Sequence, residues 1–592
     1  MLSGTFAHSH ARWPESRRSG WVPLIVLLAA LFPAPARSQA AAFTDVTPTI
    51  MKDNFWGEGV AWGDYDNDGD LDLLVSSEGQ TLRLFRNDGG VFTLATPAAM
   101  TAPGNWTGVA WGDYDNDGDI DLLAAEAERP KHLYRNEGGG VFTDLPVPAL
   151  ADSAHTHGVS WVDYNRDGRI DIFLARAESV TQSYSPLDKL IRNDGGGVFT
   201  EATPPAMLDP QYGRGCSWAD FDNDGDPDLC VGNFGTSRLF RNDGSGNFTE
   251  VTPAALAAFG HAGGIAWGDY DNDGDFDLFV AEAYSSVNRL LRNDGGGMFT
   301  NVTTPALGPV ENCIGVQWGD YDNDADLDLY VANFEGPNHL FRNDGGGVFT
   351  DVANAVLADS SHTLGLGWAD YDGDGDLDLY LANNFGEPDK LLRNDLATGA
   401  HWLQLDLEGV VSNRSGIDAR VEVITSIVHQ LRRVDGGGGY NSQNTLRVHF
   451  GVGAATVVDT LRIRWPSGIV QDSLAVPANQ LIRIRERSTK LGVEVPATAA
   501  VRLLAPTPNP FARSLRIAFE LPRASEVELS VIDVQGRTVR VIAERAPLAA
   551  GRHESAWDGR NATGNATPAG IYFIRLATPE RALTQRVVQL GG

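Results

Sequence analysis

Carboxylates recur along this chain at alternate positions. In the stretch Trp62 to Asp72, WGDYDNDGDLD, residues Asp64, Asp66, Asp68 and Asp72 take places 1, 3, 5 and 9, Gly69 takes place 6, and Asp70 offers its backbone carbonyl at place 7. Alternate residues of a tightly coiled loop point at one centre, and glycine at place 6 permits the sharp turn. Hard oxygen donors at that spacing suit a calcium ion. An Asx-rich turn that binds nothing is the alternative reading, but so many carboxylates within one short loop repel one another unless a cation sits among them.

Six further copies bring the total to seven. They offer Asp113, Asp115, Asp117, Asp119 and Asp121; then Asp163, Asn165, Asp167 and Asp171; then Asp220, Asp222, Asp224, Asp226 and Asp228. After these come Asp269, Asp271, Asp273, Asp275 and Asp277, then Asp320, Asp322, Asp324, Asp326 and Asp328, and finally Asp370, Asp372, Asp374, Asp376 and Asp378. Up to seven calcium ions are expected. The third loop has Asn165 at place 3 and Arg166 and Arg169 nearby, so weaker binding is expected there; the sixth has Ala325 where glycine is expected, which strains the turn.

The loops must be positioned by something that repeats with them. Their first aspartates lie 49, 50, 57, 49, 51 and 50 residues apart, a period that belongs to a propeller or array. Each unit holds four strand-like pieces: a run ending in Trp, an apolar run such as Asp72 to Val75, a run such as Leu84 to Asn87, and a short run such as Val91 to Thr93. Four short strands make a blade. The seventh Arg-Asn-Asp (Arg393 to Asp395) has no Phe-Thr strand after it, whereas Phe43-Thr44-Asp45-Val46 stands unpartnered before the first loop. If the N-terminal strand completes the last blade, the ring closes and no sheet edge stays open; the alternative is an open solenoid, which needs terminal caps.

Residues 1–40 read as a secretory signal, with Arg17 and Arg18 ahead of an apolar run from Trp21 to Phe32 and small residues near Ser38 and Ala40. That run is too short to span a bilayer, and no later stretch is long enough. The net charge is −32, or −35 without the four Arg and one Glu of the leader, which argues against a nucleic-acid or anionic-membrane partner. Three cysteines are no disulfide framework; a Cys216–Cys230 bridge and two buried thiols are both open readings.

Seven such motifs resemble the FG-GAP/VCBS repeats of integrin α-subunit propellers and of bacterial exported proteins, over about residues 41–398. The resemblance implies loops holding structural calcium on one face, partners bound elsewhere, and a scaffold. From His401-Trp402-Leu403 onward the texture changes. Asn413 to Val421, the glycine run Gly437-Gly-Gly-Tyr440, His449 to Gly453 and Trp465-Pro-Ser-Gly468 resemble an ASPIC/UnbV domain over 399–487. Its glycines read best as flexible turn glycines, and Arg462, Arg464, Arg483 and Arg485 as the wet face of two strands. After a linker at 488–505, residues 506–592 carry Asn509-Pro-Phe511, the strand Leu515 to Leu521, a hairpin about Gln535-Gly536 and Gly570 to Ile574. They resemble FlgD-like immunoglobulin-type domains and type IX secretion sorting domains, which implies a Gram-negative-like bacterium. The expected fold class is all-β: a seven-bladed β-propeller, a small β domain and an immunoglobulin-like β-sandwich.

No hydrolase or metalloprotease motif appears, and the carboxylates are accounted for as calcium ligands. The expected function is therefore non-enzymatic binding or adhesion outside the cell, to a protein or polysaccharide; a polysaccharide-active lyase or hydrolase is the rival. If each Trp strand runs into its loop, the residues six before each Trp gather at the opposite end of the blades. They are Trp56, Asn105, His155, Tyr212, His261, Asn312 and His362, a ligand-face set, with a second ring of Glu126, Arg176, Asn233, Glu282, Asn333 and Asn383 beside them.

Overall fold

The computed structural model describes residues 41–488, apart from 53, 178–186, 209–211, 259, 285, 309 and 359, and most of 502–590. The expected leader and nearly all of the linker lie outside the described residues, as does Gly536 of the hairpin turn.

Blade 1 shows how the repeat folds. Its strands Trp56–Gly63, Asp72–Glu78, Arg83–Asp88 and Val91–Leu94 pair antiparallel in that order, with the aspartate loop joining the first two. The second strand is buried on both faces, because a blade packs between two others, so it reads as a continuous apolar run. The fourth lies at the rim and alternates, burying Phe92 alone. Blades 2 to 6 follow the same plan. Blade 7 contributes Thr363–Ala369, Asp378–Asn383 and Lys390–Asn394, and Phe43–Asp45 supplies its fourth strand, with Phe43 opposite Asn394 and Asp45 opposite Leu392. The ring closes as the spare and missing pieces required.

Two devices hold the blades together. The glycine three residues before each Trp stands where the next blade comes closest. A Cβ at Gly108 would lie 2.1 Å from His157 O, at Gly315 2.6 Å from Leu364 O and, across the closure, at Gly365 2.6 Å from Glu58 O. Contacts that short are not available to any side chain, so glycine sets the approach of the blades. The tryptophans tie backwards: the indole Nε1 of Trp62 donates to Gly367 O at 3.2 Å, that of Trp161 to Ala110 O at 3.2 Å and that of Trp318 to Ala266 O at 3.3 Å.

The second domain has two sheets. One joins Val448–Gly453, His401–Glu408 and Gln480–Arg485, the last pair parallel; the other joins His429–Arg433, Arg420–Ile424, Val457–Arg464 and Val470–Pro477. Arg464, Arg483 and Arg485 are exposed and Arg462 half-buried, so these arginines do form a wet face. The glycine run corrects expectation. It is no flexible turn but a plug in the propeller's central channel. Gly436 O accepts from Trp161 N at 2.8 Å, Gln443 N donates to Val60 O at 2.8 Å, and Asn441 O accepts from Val109 N at 3.3 Å, so the segment hydrogen-bonds to the innermost strands of three blades. A Cβ at Gly436 would meet Trp161 O at 2.1 Å, and one at Gly438 would meet Cys216 O at 2.9 Å. The third domain is the expected sandwich: Leu515–Leu521 pairs Gly551–Trp557 in one sheet, and Ser525–Asp533 lies between Thr538–Leu548 and Gly570–Ala577 in the other.

Candidate metal centres and candidate ligand face

Within each loop the first aspartate organises the turn. Asp64 accepts from Asp68 N at 3.0 Å with Oδ1 and from Gly69 N at 3.1 Å with Oδ2, while Asp72 accepts from Asn87 N and Tyr65 N. This coil brings one carboxylate oxygen each from Asp64, Asp66 and Asp72 within 4.8 Å of one another, and the same holds for Asp113, Asp115 and Asp121, for Asp220, Asp222 and Asp228, and for Asp320, Asp322 and Asp328. In the fifth loop the trio is Asp269, Asp271 and Asp273. Burial, and after it the neighbouring carboxylates, push Asp64 up to about 6, Asp72 to about 8 and Asp121, Asp228 and Asp277 to about 9. Several buried carboxylate oxygens have no hydrogen-bond partner among the described residues, including Asp66 Oδ1, Asp171 Oδ2, Asp220 Oδ1 and Asp271 Oδ1. Convergent, desolvated and unsatisfied anionic oxygens fit a hard divalent cation.

The aspartates at place 7 point elsewhere. Asp119 Oδ1 accepts from Asn67 Nδ2 of the preceding loop at 2.8 Å, and Asp326 Oδ1 accepts from Asn272 in the same way. Asn67 and its equivalents sit at positive φ, which turns their side chains toward the next loop. In the third loop Arg166 takes that place and reaches Asp226 Oδ1 at 3.0 Å; in the seventh the place is Gly373, so this link is missing between loops 7 and 1. A second set escaped sequence reasoning. The asparagine of every Arg-Asn pair bridges its own loop to the loop before: Asn87 Nδ2 donates to Leu71 O and Tyr371 O, and Asn343 Nδ2 to Leu327 O and Tyr270 O. Its signal was present, since Asn stands after Arg in all seven units.

The second domain covers this face, with a contact to every loop. Arg447 donates to Gly69 O, Ser415 Oγ accepts from Asp113 N, Asp418 from Asp163 N, and Arg420 donates to Asp220 Oδ2 at 3.0 Å and to Gly274 O at 3.3 Å. Gly453 N donates to Asn323 O, and Gln404 to Asp370 Oδ2 at 2.7 Å.

At the opposite end, the sequence's two rings have different fates. Trp56 and Asn105 are exposed and His155, Tyr212, His261, Asn312 and His362 half-buried. Glu126, Arg176, Asn233, Glu282, Asn333 and Asn383 are buried instead, because each lies directly opposite the next position along the Trp strand. They knit turns: Glu282 pairs with Arg289, Asn233 Nδ2 donates to Thr236 O, and Asn383 Nδ2 donates to Pro388 O. That corrects the second ring. Both asparagines of the first ring are also occupied, since Asn105 Oδ1 accepts from Gly79 N and Asn312 Oδ1 from Tyr284 N. The three histidines lie in separate neighbourhoods, His155 against His157 at 4.5 Å, His261 against Phe234 at 4.3 Å and His362 bonded to Glu387. Trp56, Asn105, His155 and Asn312 line a bowl of about 300 Å³, whose floor is Tyr440, the tip of the plug. The cysteines are all free and buried; Cys230 stands opposite Ser217, so Cys216 projects to the other face of the sheet and no bridge is possible.

The FG-GAP-like repeat profile matches seven segments, 36–75, 64–124, 113–174, 179–231, 220–280, 272–331 and 320–381, together more than half of the chain. The chain belongs to the FG-GAP-like repeat family. In this FG-GAP-like propeller the covering domain matches ASPIC and UnbV over 409–491, although the strand His401–Glu408 already lies in its sheet, and the sandwich matches the FlgD Ig-like domain over 511–580. No curated protein matches. Solved structures similar to it include an Agrocybe aegerita lectin described as recognising non-reducing terminal N-acetylglucosamine (18% identity, TM-score 0.37, covering 58% of this chain and 91% of that one). YCF48 bound to a D1 peptide is 10% identical, with TM-score 0.40 and coverage of 61% and 97%. BBS1N in complex with ARL6DN is 12% identical, with TM-score 0.40 and coverage of 61% and 99%.

Proposed function

We propose that this FG-GAP-like propeller is an exported, calcium-stabilised binding or adhesion scaffold that takes an extracellular protein or polysaccharide on the face opposite its aspartate loops and catalyses no reaction. The observation that carries this reading is the second domain, which touches all seven loops and fills the channel, so that the opposite end of the ring is the end left open. Places 1, 3, 5 and 9 would hold the ions with their carboxylates and place 7 with its carbonyl. Bound calcium would supply the positive charge that lets these desolvated carboxylates ionise together. Among the described residues no helix is long and apolar enough to cross a membrane, which is compatible with export through the N-terminal leader.

At free calcium ten-fold above Kd each site adds about 1.4 kcal/mol. Seven independent sites then contribute on the order of 10 kcal/mol, comparable with a domain's whole stability. Thermal unfolding with and without chelator tests this, and an unchanged midpoint removes calcium from the reading. A polysaccharide panel scored for both retention and cleavage tests the rest. Retention without cleavage is expected; release of unsaturated or reducing ends would make the chain a polysaccharide-active enzyme.

A further inference from the structure

The rim of the bowl holds aromatic rings in a way the fold does not need. Tyr284 (53% exposed) and Phe385 (51% exposed) stand at equivalent places two residues beyond Glu282 and Asn383, and both adopt left-handed backbone, with φ of 52° and 54°. Bulky residues rarely take that conformation, and strain of this kind collects where a ligand is gripped. Asn312 and Asn384 hold the two backbone turns through the N–H groups of Tyr284 and Phe385, yet both rings remain half in water. Phe385 packs edge-on to Trp56, itself 41% exposed, which makes one aromatic wall across blades 7 and 1. Tyr284 and Phe234 make a second wall across blades 5 and 4.

Among the described residues, the one cation that lines the bowl sits in that second wall. Arg214 stacks on Phe234 at 5.8 Å and on Tyr284 at 5.4 Å, donates to Tyr284 OH at 3.1 Å and has no carboxylate partner among the described residues. Two acids also line the bowl, both on blade 1. Glu58 is pushed up to about 8 by burial and then by Glu78, and its oxygens accept from Asn384 and Asn441; Glu78 lies opposite Trp56. The floor is neutral and polar. His157 Nδ1 lies 3.1 Å from Tyr440 OH, and buried His155 Nε2 has no partner.

Flat apolar walls, an unneutralised guanidinium on one side and neutral hydrogen-bonding groups below describe a ligand with a C–H face, a carboxylate and hydroxyls. Resting on the binding-scaffold reading above, we propose that the bowl binds an acidic sugar: its carboxylate meets the Arg214 fork, its ring lies against the Trp56–Phe385 wall, and its hydroxyls face His155 and Tyr440. A guanidinium presents paired N–H donors matched to a carboxylate, which a neutral sugar lacks. The volume sits at the low end for ligand pockets, roughly 300–1,000 Å³, which suits one or two sugar units rather than a folded protein loop.

The test uses the calcium-loaded full chain and two probes that differ only in the carboxylate, methyl glucuronoside and methyl glucoside, titrated by calorimetry and by tryptophan fluorescence, with Trp56→Phe as the control that assigns the change among fourteen tryptophans. The expected result is saturable binding of the uronoside at least about ten-fold tighter than of the glucoside. Arg214→Gln should abolish that preference, and Phe385→Ala should weaken both sugars, with unfolding midpoints confirming that each variant folds. Equal affinities, an unchanged preference in Arg214→Gln, or no saturable binding of either sugar overturns the proposal. If a peptide or a neutral glycan from the wider panel quenches tryptophan emission in the unmodified chain but not in Trp56→Phe, while the uronoside quenches neither, the acidic-sugar assignment falls and the scaffold reading stands.

Discussion

Ala325 sits at place 6 of the sixth loop with a φ of 85°, a conformation that the other six loops give to glycine. An L-residue held there costs about 1–2 kcal/mol, part of which glycine returns as unfolded-state entropy. Ala325→Gly is therefore expected to raise the unfolding free energy by about 0.5–1 kcal/mol, read as a higher denaturant midpoint at unchanged slope. Histidines set a second residue-scale expectation. Burial pushes His155 and His449 down to about 4 and His157 well below its usual value, with His155 beside it adding to the effect. The unfolded chain takes up these protons near pH 6.5, while folded His155 and His449 refuse theirs until about pH 4 and folded His157 is held well below its usual value. The unfolded state thus binds more protons across that window, and stability falls as pH drops through it. In saturating calcium the unfolding midpoint should decline between pH 6.5 and 4, and His155→Gln with His157→Gln should shrink the decline.

Among the elements, the plug at 435–444 joins the domains by backbone hydrogen bonds to the innermost strands of three blades. Its glycines are required by contact, since the innermost strands leave no volume for a Cβ at Gly436. Gly436→Val forces the segment out of the channel. The expected outcome is separate unfolding transitions for propeller and second domain in calorimetry, and faster proteolysis of the aspartate loops, which then lose their cover. An unchanged single transition would mean that the loop contacts alone seat the second domain. The element also links the two faces, because Tyr440 forms the bowl's floor while neighbouring segments of the same domain contact the loops.

Across the whole molecule, stability depends on closure. Phe43–Asp45 gives blade 7 its outer strand, and Phe43 is buried against Tyr321 and Trp368. Deleting residues 41–47 removes a core aromatic, worth about 3–5 kcal/mol when truncated, and leaves an unpaired strand edge. Loss of stability on that order is expected, together with association through the open edge, measured by denaturant unfolding and by light scattering on a sizing column.

Much of this architecture was legible because repetition multiplies weak signals. Seven aspartate loops at a period near fifty residues specify blades, and one spare strand matched to one missing strand specifies closure, since both follow from local pattern and from the requirement that no sheet edge stay open. The carboxylates at places 1, 3 and 9 of four loops, and at places 1, 3 and 5 of the fifth, converge for the same local reason. Sequence also placed the Trp56 ring at the end away from the loops, because strand alternation and hairpin return are local geometry. It misassigned Glu126 and its equivalents, whose burial depends on register across the hairpin and not on distance from Trp. The glycine run of the second domain looked like flexible turns because its neighbours are hundreds of residues away: Gly438 stands against Cys216, and Gln443 against Val60 and Trp111. Which loops are covered, where Tyr440 emerges and which cation stays unpaired in the bowl are outcomes of long-range packing, and contacts between segments so distant in the chain leave no periodic trace in the sequence.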